Sequence, residues 1–153
     1  IEHDVSRYLF TITVINTVLG MLVAAVMWML SMPNPVLWGV LAGTLNFIPY
    51  IGPFITLSTI TAVAVLSFPT AGDALLPPTV FLVLTTLEGQ LITPLILGAR
   101  LLLNPVAIFL GIIFWGWLWG VVGALLAVPI TMSLKILCDA VPPLNPVSEF
   151  LSR

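Results

Sequence analysis

Two apolar segments, residues 35–68 and 105–137, are each too long to cross a lipid bilayer once, and each is broken near its middle. A straight helix of either length would run about 50 Å, against a hydrocarbon core of about 30 Å. The first segment carries NFIPYIGP at 46–53, and the second carries WGWLWGVVG at 115–123. Each half of the first segment is then about 18–22 Å long, too short to span alone. Two readings follow: a helical hairpin that enters and leaves on one side, or one broken helix that crosses. In both, the break leaves backbone N–H and C=O groups that lipid cannot satisfy. The breaks must lie within protein or line a wet cavity.

Composition puts these segments in a membrane. The chain of 153 residues is 60% hydrophobic and 7% charged, with a mean hydropathy of +1.22. A soluble domain is about half apolar and about a quarter charged, and a globule of this size could not hide so much apolar surface. The fold class expected is an all-α integral membrane protein, with transmembrane helices and two Gly/Pro-broken hairpins in an inverted-repeat-like arrangement. The net charge of −2 offers no basic patch for nucleic acid. Cys138 and His3 are the sole residues of their kinds, which excludes an internal disulfide and disfavours a metal site. The chain lacks an initiator Met and its first charged run, IEHDVSR, is not a signal-peptide n-region, so it reads as part of a longer protein.

Two further segments complete the pattern. Residues 8–30 are free of charge and proline and long enough to span. Thr13, Asn16, Thr17, Gly20 and Ala24 share one face there at helical spacing, and small and polar residues on a membrane helix should face protein or water. Residues 69–78, PTAGDALLPP, read as a loop. Residues 79–97 are again span-length, interrupted by Glu88, Gln90 and Pro94. The tail, VPPLNPVSEFLSR, is polar and proline-rich, so the chain divides into a transmembrane domain, 1–140, and a tail, 141–153.

The tripeptide NPV opens both over-long segments, at 34–36 and 104–106, and each segment contains a GxxxG, Gly39/Gly43 and Gly116/Gly120. A third NPV, at 145–147, shows how cheaply the tripeptide recurs, so the repeat rests on the order span, broken pair, span, broken pair. With two hairpins, Arg7, Arg100, Lys135 and Arg153 fall on one side and Asp73 on the other. Positive charge then marks the cytoplasmic side, and both termini are cytoplasmic. Inverted repeats whose broken helices meet near the midplane recur in transporters.

Glu88 is the one acid inside a predicted span, where a charged side chain costs about 2.5–3.5 kcal/mol on insertion scales. Such a carboxyl either carries protons, cations or a solute contact, or is a structural acid hydrogen-bonded to freed backbone. Thr86, Gln90 and Thr93 share a helical face near it, and Pro94 frees the carbonyl of Gln90 if the helix continues. These residues, with Asn46 and Asn16, are the candidate solute or ion path. Thr56, Ser58, Thr59 and Thr61 follow the first break and either cap the new helix or line the path. Asn46, Pro49, Gly52 and Pro53 set the first break. Pro53 suits a first helical turn, whose free N–H groups would favour electronegative solute atoms. The five tryptophans read as packing or interfacial anchors.

The runs NFIPYIGP, LEGQLITPLILGARLLLNP and WGWLWGVVGALLAVPITMSLKIL resemble the AI-2E transporter family, also called PerM-like, over residues 5–140. The resemblance carries over Asn46, Pro49, Gly52 and Pro53 as one motif, Glu88, Pro94, Gly98 and Arg100 as a second, and Gly120, Gly123 and Pro129 as a third. It implies a bacterial or archaeal inner-membrane protein that exports the autoinducer-2 quorum signal or performs Na⁺(Li⁺)/H⁺ antiport. It also implies homo-oligomers, pentamers among them. Family members usually begin with further membrane helices and a soluble helical insert, so the chain resembles a C-terminal half.

The function expected is export of a small polar solute, autoinducer-2-like and proton-coupled through Glu88, with cation/proton antiport as the alternative. A non-transporting scaffold whose glycine faces serve packing is the second alternative. An intramembrane enzyme would need paired acids, a Ser–His pair or metal ligands at depth, and the sequence offers none. No cofactor is expected. The partners expected are the solute or a monovalent cation, the bilayer and copies of the chain itself.

Overall fold

The computed structural model describes residues 2–97, 103–140 and 151. Among them there is no strand. Six helices follow in order: α1 Glu2–Met29, α2 Pro35–Leu45, α3 Ile51–Ser67, α4 Ala71–Leu87, α5 Thr93–Leu97 and α6 Pro105–Ala140, with a π-helical turn, Glu88–Ile92, between α4 and α5. Three stretches are long and apolar enough to cross a membrane: Ser6–Met29, Ala71–Ile96 and Pro105–Lys135. Their surfaces are apolar, with Trp28 73%, Leu95 79% and Trp117 82% exposed, as befits side chains that meet lipid rather than water. The chain is an all-α, multi-pass membrane protein.

It forms two compact units, residues 12–93 and residues 1–11 with 94–153. In the first, α1 and α2 meet through glycine. A Cβ on Gly20 would stand 2.7 Å from the Gly39 carbonyl oxygen, and one on Gly43 2.9 Å from that of Asn16. Helices can approach this closely only where side chains are absent. The contact pairs the Asn16–Gly20–Ala24 face with Gly39 and Gly43 in antiparallel order. The expected small-residue stripe is therefore a packing seam, although Thr13 and Thr17 fall on its exposed margin.

The first over-long segment is a hairpin. Trp38 and Ala42 of α2 share a buried cluster with Ile60 and Ala64 of α3, with Leu19, Val23 and Met27 of α1 and with Phe81 of α4. In a single broken crossing, Trp38 and Ala64 would lie about 40 Å apart. The turn is made by Tyr50 at φ 64, ψ −50. A Cβ on Gly52 would sit 1.8 Å from the Leu45 carbonyl oxygen, so this position admits only glycine. Trp38 is tied down by its indole N–H, which donates to the Pro33 carbonyl at 2.7 Å.

The second over-long segment folds back too. α6 carries one non-helical residue, Gly120 at φ 64, ψ −144. Across it, Cβ atoms on Gly111, Gly116 and Gly123 would approach Thr131 Oγ1 at 2.9 Å, Ala124 Cβ at 3.6 Å and the Trp115 carbonyl oxygen at 1.8 Å. Residues 111 and 131 would be about 30 Å apart in a straight helix. Both hairpins thus use a backbone with φ near +64° followed within three residues by a glycine against the preceding half's last carbonyls. Pro129, expected as a hinge, lies buried within helical dihedrals, and its carbonyl accepts from Ser133 Oγ at 2.8 Å. Gly120 makes the bend.

The NPV tripeptides at 34–36 and 104–106 each open a helix with proline at its start, where the missing N–H costs nothing. Asn104 Oδ1 accepts from the Val106 N–H at 2.9 Å. Asn34 sits instead in the left-handed region, φ 53, ψ 55. The third NPV, the boundary at 140/141, Gly98 and Arg100 lie outside the described residues.

The loop expected at 69–78 is not one. α4 starts at Ala71, because Thr70 caps it: its Oγ1 accepts from the Asp73 N–H at 3.2 Å and donates to the Asp73 carboxylate at 2.6 Å. Pro77 and Pro78 lie inside the helix with their rings buried. The lost backbone bonds fall on the carbonyls of Asp73 and Ala74, near the helix start, while α4 packs along α3.

Candidate functional site

The candidate site lies in the unit of residues 12–93, where the first hairpin's turn meets the end of α4. Asn46, the residue that ends α2, extends its side chain between α1 and α4. Its Nδ2 donates to Asn16 Oδ1 at 2.8 Å and to Glu88 Oε2 at 3.4 Å. The other carboxylate oxygen, Oε1, accepts from the Thr93 hydroxyl. Three helices and the π turn therefore meet in one chain of hydrogen bonds, Asn16–Asn46–Glu88–Thr93.

The π turn brings Thr93 to Glu88. The Thr93 N–H bonds to the Glu88 carbonyl, five residues back. A regular α-helix would drive the ring of Pro94 into the Gln90 carbonyl, and the wider turn relieves that clash. Thr86 and Gln90, expected near Glu88, are exposed and stand outside the network, because each is two positions from Glu88 and residues so spaced on a helix do not face each other. Gly89, within the turn, has open space around its missing Cβ.

Asn16 is 2% exposed, and its Nδ2 is enclosed without a hydrogen-bond partner. Residues 12–93 contain no Lys, Arg or His, so Glu88 has no cationic partner within its own unit. Beside Asn16 runs an open groove of about 340 Å³ between α1 and α2. Its walls include Thr17, Met21, Val40, Thr44 and Phe47, over the backbone of Gly20, Gly39 and Gly43. Thr44 carries no sequence signal of its own. It is found only because the glycine seam exposes that side of α2.

The hydroxyls that follow the first break are self-satisfied. Thr56, Ser58, Thr59 and Thr61 each donate to the carbonyl four residues back, at 2.7–3.0 Å. They neither cap α3 nor offer free protons. The start of α3 is closed as well. The N–H of Ile51 donates to the Pro49 carbonyl at 2.7 Å, that of Gly52 to Ile48 at 3.0 Å and that of Phe54 to Tyr50 at 3.1 Å, while Pro53 has none. The half-helix end expected to greet electronegative atoms has no free donor. In the other unit, Trp115 packs against Phe114 and Trp119 at ring-centroid distances of 5.1 and 5.0 Å. Trp117 and Trp119 face outward, as anchors would. Among the described residues no three His, Cys, Asp or Glu side chains gather into a metal-binding group.

A lone carboxylate held by an amide and a hydroxyl thus lies among apolar helices broken by a hairpin turn and a π turn. Residues 1–142 match the AI-2E transporter family. The chain belongs to the AI-2E transporter family. It is 40% identical over 134 residues to the AI-2 transport protein TqsA of Escherichia coli K12, covering 87% of this chain and 38% of that protein. It is 31% identical over 155 residues to a candidate transport protein of Borreliella burgdorferi, covering 99% of this chain and 42% of that one. It is 30% identical over 137 residues to the candidate transport protein YrrI of Bacillus subtilis, covering 90% and 38%. The chain thus spans about two fifths of the length of these AI-2E relatives.

Proposed function

We propose that the full-length parent of this chain carries a small polar solute, autoinducer-2-like, across the bacterial inner membrane, coupled to protons at Glu88. The observation that carries this reading is the Asn16–Asn46–Glu88–Thr93 chain within apolar helices. A carboxyl at such a place is costly, and one retained there marks a proton, cation or solute site by default. The similarity to a protein named for AI-2 transport supports the solute class. Uncharged polyols need hydroxyl, amide and carbonyl partners, and the network and its groove supply amides and hydroxyls. Both hairpins return to the side they enter in this reading, both termini of the chain face the cytoplasm, and copies assemble into a homo-oligomer, with a pentamer as the first stoichiometry to test.

Na⁺(Li⁺)/H⁺ antiport is the second reading, favoured by one observation: Glu88 has no cationic neighbour in its unit, which leaves its charge available to a monovalent cation. Proteoliposomes of the full-length protein, offered autoinducer-2 and Na⁺ separately with and without a proton gradient, decide between them. Gradient-driven flux of the signal alone supports the first reading. Flux of Na⁺ alone supports the second. Flux of neither leaves the scaffold role and sinks both.

A further inference from the structure

We propose that the tip of the second hairpin, residues 117–122, stands in the lipid headgroup layer on the membrane face opposite Lys135, with the indoles of Trp117 and Trp119 as its anchors there. This placement is independent of the solute carried.

The two hairpins end differently. The first tip, residues 46–49, is half-buried, and Asn46 ties it to Asn16 and Glu88. The second tip is bare: residues 117–122 are all exposed, Trp119 at 54% and Val121 at 72%. Gly120, at φ 64 and ψ −144, interrupts the helical ladder in the middle of that run. Such an interruption leaves carbonyls at the end of one leg and N–H groups at the start of the next in need of partners, and hydrocarbon supplies none. The exposed indoles add two N–H groups that can only donate. A hydrated headgroup layer meets both needs. Tryptophan favours that layer, because its ring is apolar and its N–H is polar. Trp115 backs the cluster, packed against Trp119 at a ring-centroid distance of 5.0 Å.

Length decides between the far interface and the midplane. Gly111 faces Thr131 across the hairpin, so residue 135 lies level with residue 107 at its base. Residues 105–134 carry no charge, and Lys135 closes that run. From Gly120 to Lys135 is about 22 Å of helix, and a lysine stem reaches further by snorkelling. The sum approaches the hydrocarbon thickness of about 30 Å. A tip at the midplane would leave room for only about ten residues of each leg in hydrocarbon. Residues 105–109 and 131–135 would then stand beyond it, with the exposed side chains of Val106, Phe109 and Leu134 among headgroups and water. A tip at the far interface keeps these side chains against lipid tails as apolar as themselves.

Spin-label EPR on the full-length protein in liposomes tests this, with labels attached through Val121→Cys at the tip and Leu110→Cys, ten positions before Gly120, in a cysteine-free background. Both side chains are exposed. With oxygen as the apolar collision partner and a nickel chelate as the polar one, the label at 110 should be the deeper of the two, and the label at 121 should be reached by the chelate. Val122→Cys and Phe109→Cys repeat the pair if either first variant fails to insert. The reverse order, a deep tip and a shallow 110, places the tip at the midplane and overturns the proposal. A tip label shielded from both oxygen and chelate shows another segment or another copy covering it, and overturns the proposal as well. Trp117→Phe combined with Trp119→Phe keeps aromatic surface and removes both N–H donors. It should shift the label at 121 toward oxygen and away from the chelate, and an unchanged label overturns the anchoring role of the indoles. None of these readouts involves Glu88, so the transport reading stands or falls separately.

Discussion

Gly52 and Gly89 make opposite demands on the same chain. At Gly52 a Cβ would meet the Leu45 carbonyl at 1.8 Å, and backbone on both sides of a turn has nowhere to move. Gly52→Ala should cost more than about 3 kcal/mol, read as lost thermal stability of the full-length protein in detergent. Gly89→Ala, with open space around it, should change stability by less than about 1 kcal/mol. Thr93 and Thr86 form a second pair. Thr93→Val keeps shape but leaves Glu88 Oε1 without its hydroxyl, and should cost about 1.5–3 kcal/mol, as bonds to charged groups do. Thr86→Val, exposed and outside the network, should cost less than about 0.5 kcal/mol. Equal effects within either pair, measured by thermal melting, would show that the contacts do not carry the energy assigned to them. Asn16, Asn46, Glu88 and Thr93 were legible as polar residues in apolar sequence. Their union was not, because it depends on one extra residue in a helical turn. An i, i+4, i+7 count groups Thr86, Gln90 and Thr93 near Glu88, and of these the π turn brings only Thr93 to the carboxylate.

At the scale of elements, length and punctuation were the readable signals. Two segments exceeded one crossing and carried Gly and Pro near their middles, and both fold back at those places. Choosing a hairpin over a broken crossing needed contacts between halves, which periodicity does not report. The pair Pro77–Pro78 misled in the other direction: Thr70 and Asp73 start the helix before it, and the rings serve as buried packing surface. The hairpin makes a topological prediction. In a Cys138→Ser background of the full-length protein, cysteines placed at Asn34 and Pro69 should react with an impermeant maleimide from the same face of the membrane. Labelling from opposite faces would contradict the α2–α3 hairpin.

At the scale of the molecule, the chain is a helical membrane domain in which, in the unit of residues 12–93, one carboxylate is joined to three polar side chains in a single hydrogen-bonded chain. An apolar exterior was dictated by composition. The inward placement of Glu88 followed from the cost of exposing it to lipid. Family membership came from the spacing of breakers and acid rather than from hydropathy, which many membrane proteins share. The measurement nearest the central claim is proton movement by the full-length protein in sealed vesicles, with wild type and Glu88→Gln compared after a pH jump in the presence of the transported solute. The account predicts that the variant folds and inserts but moves no protons with the solute. Wild-type flux with a wild-type pH profile from the Gln variant would contradict it.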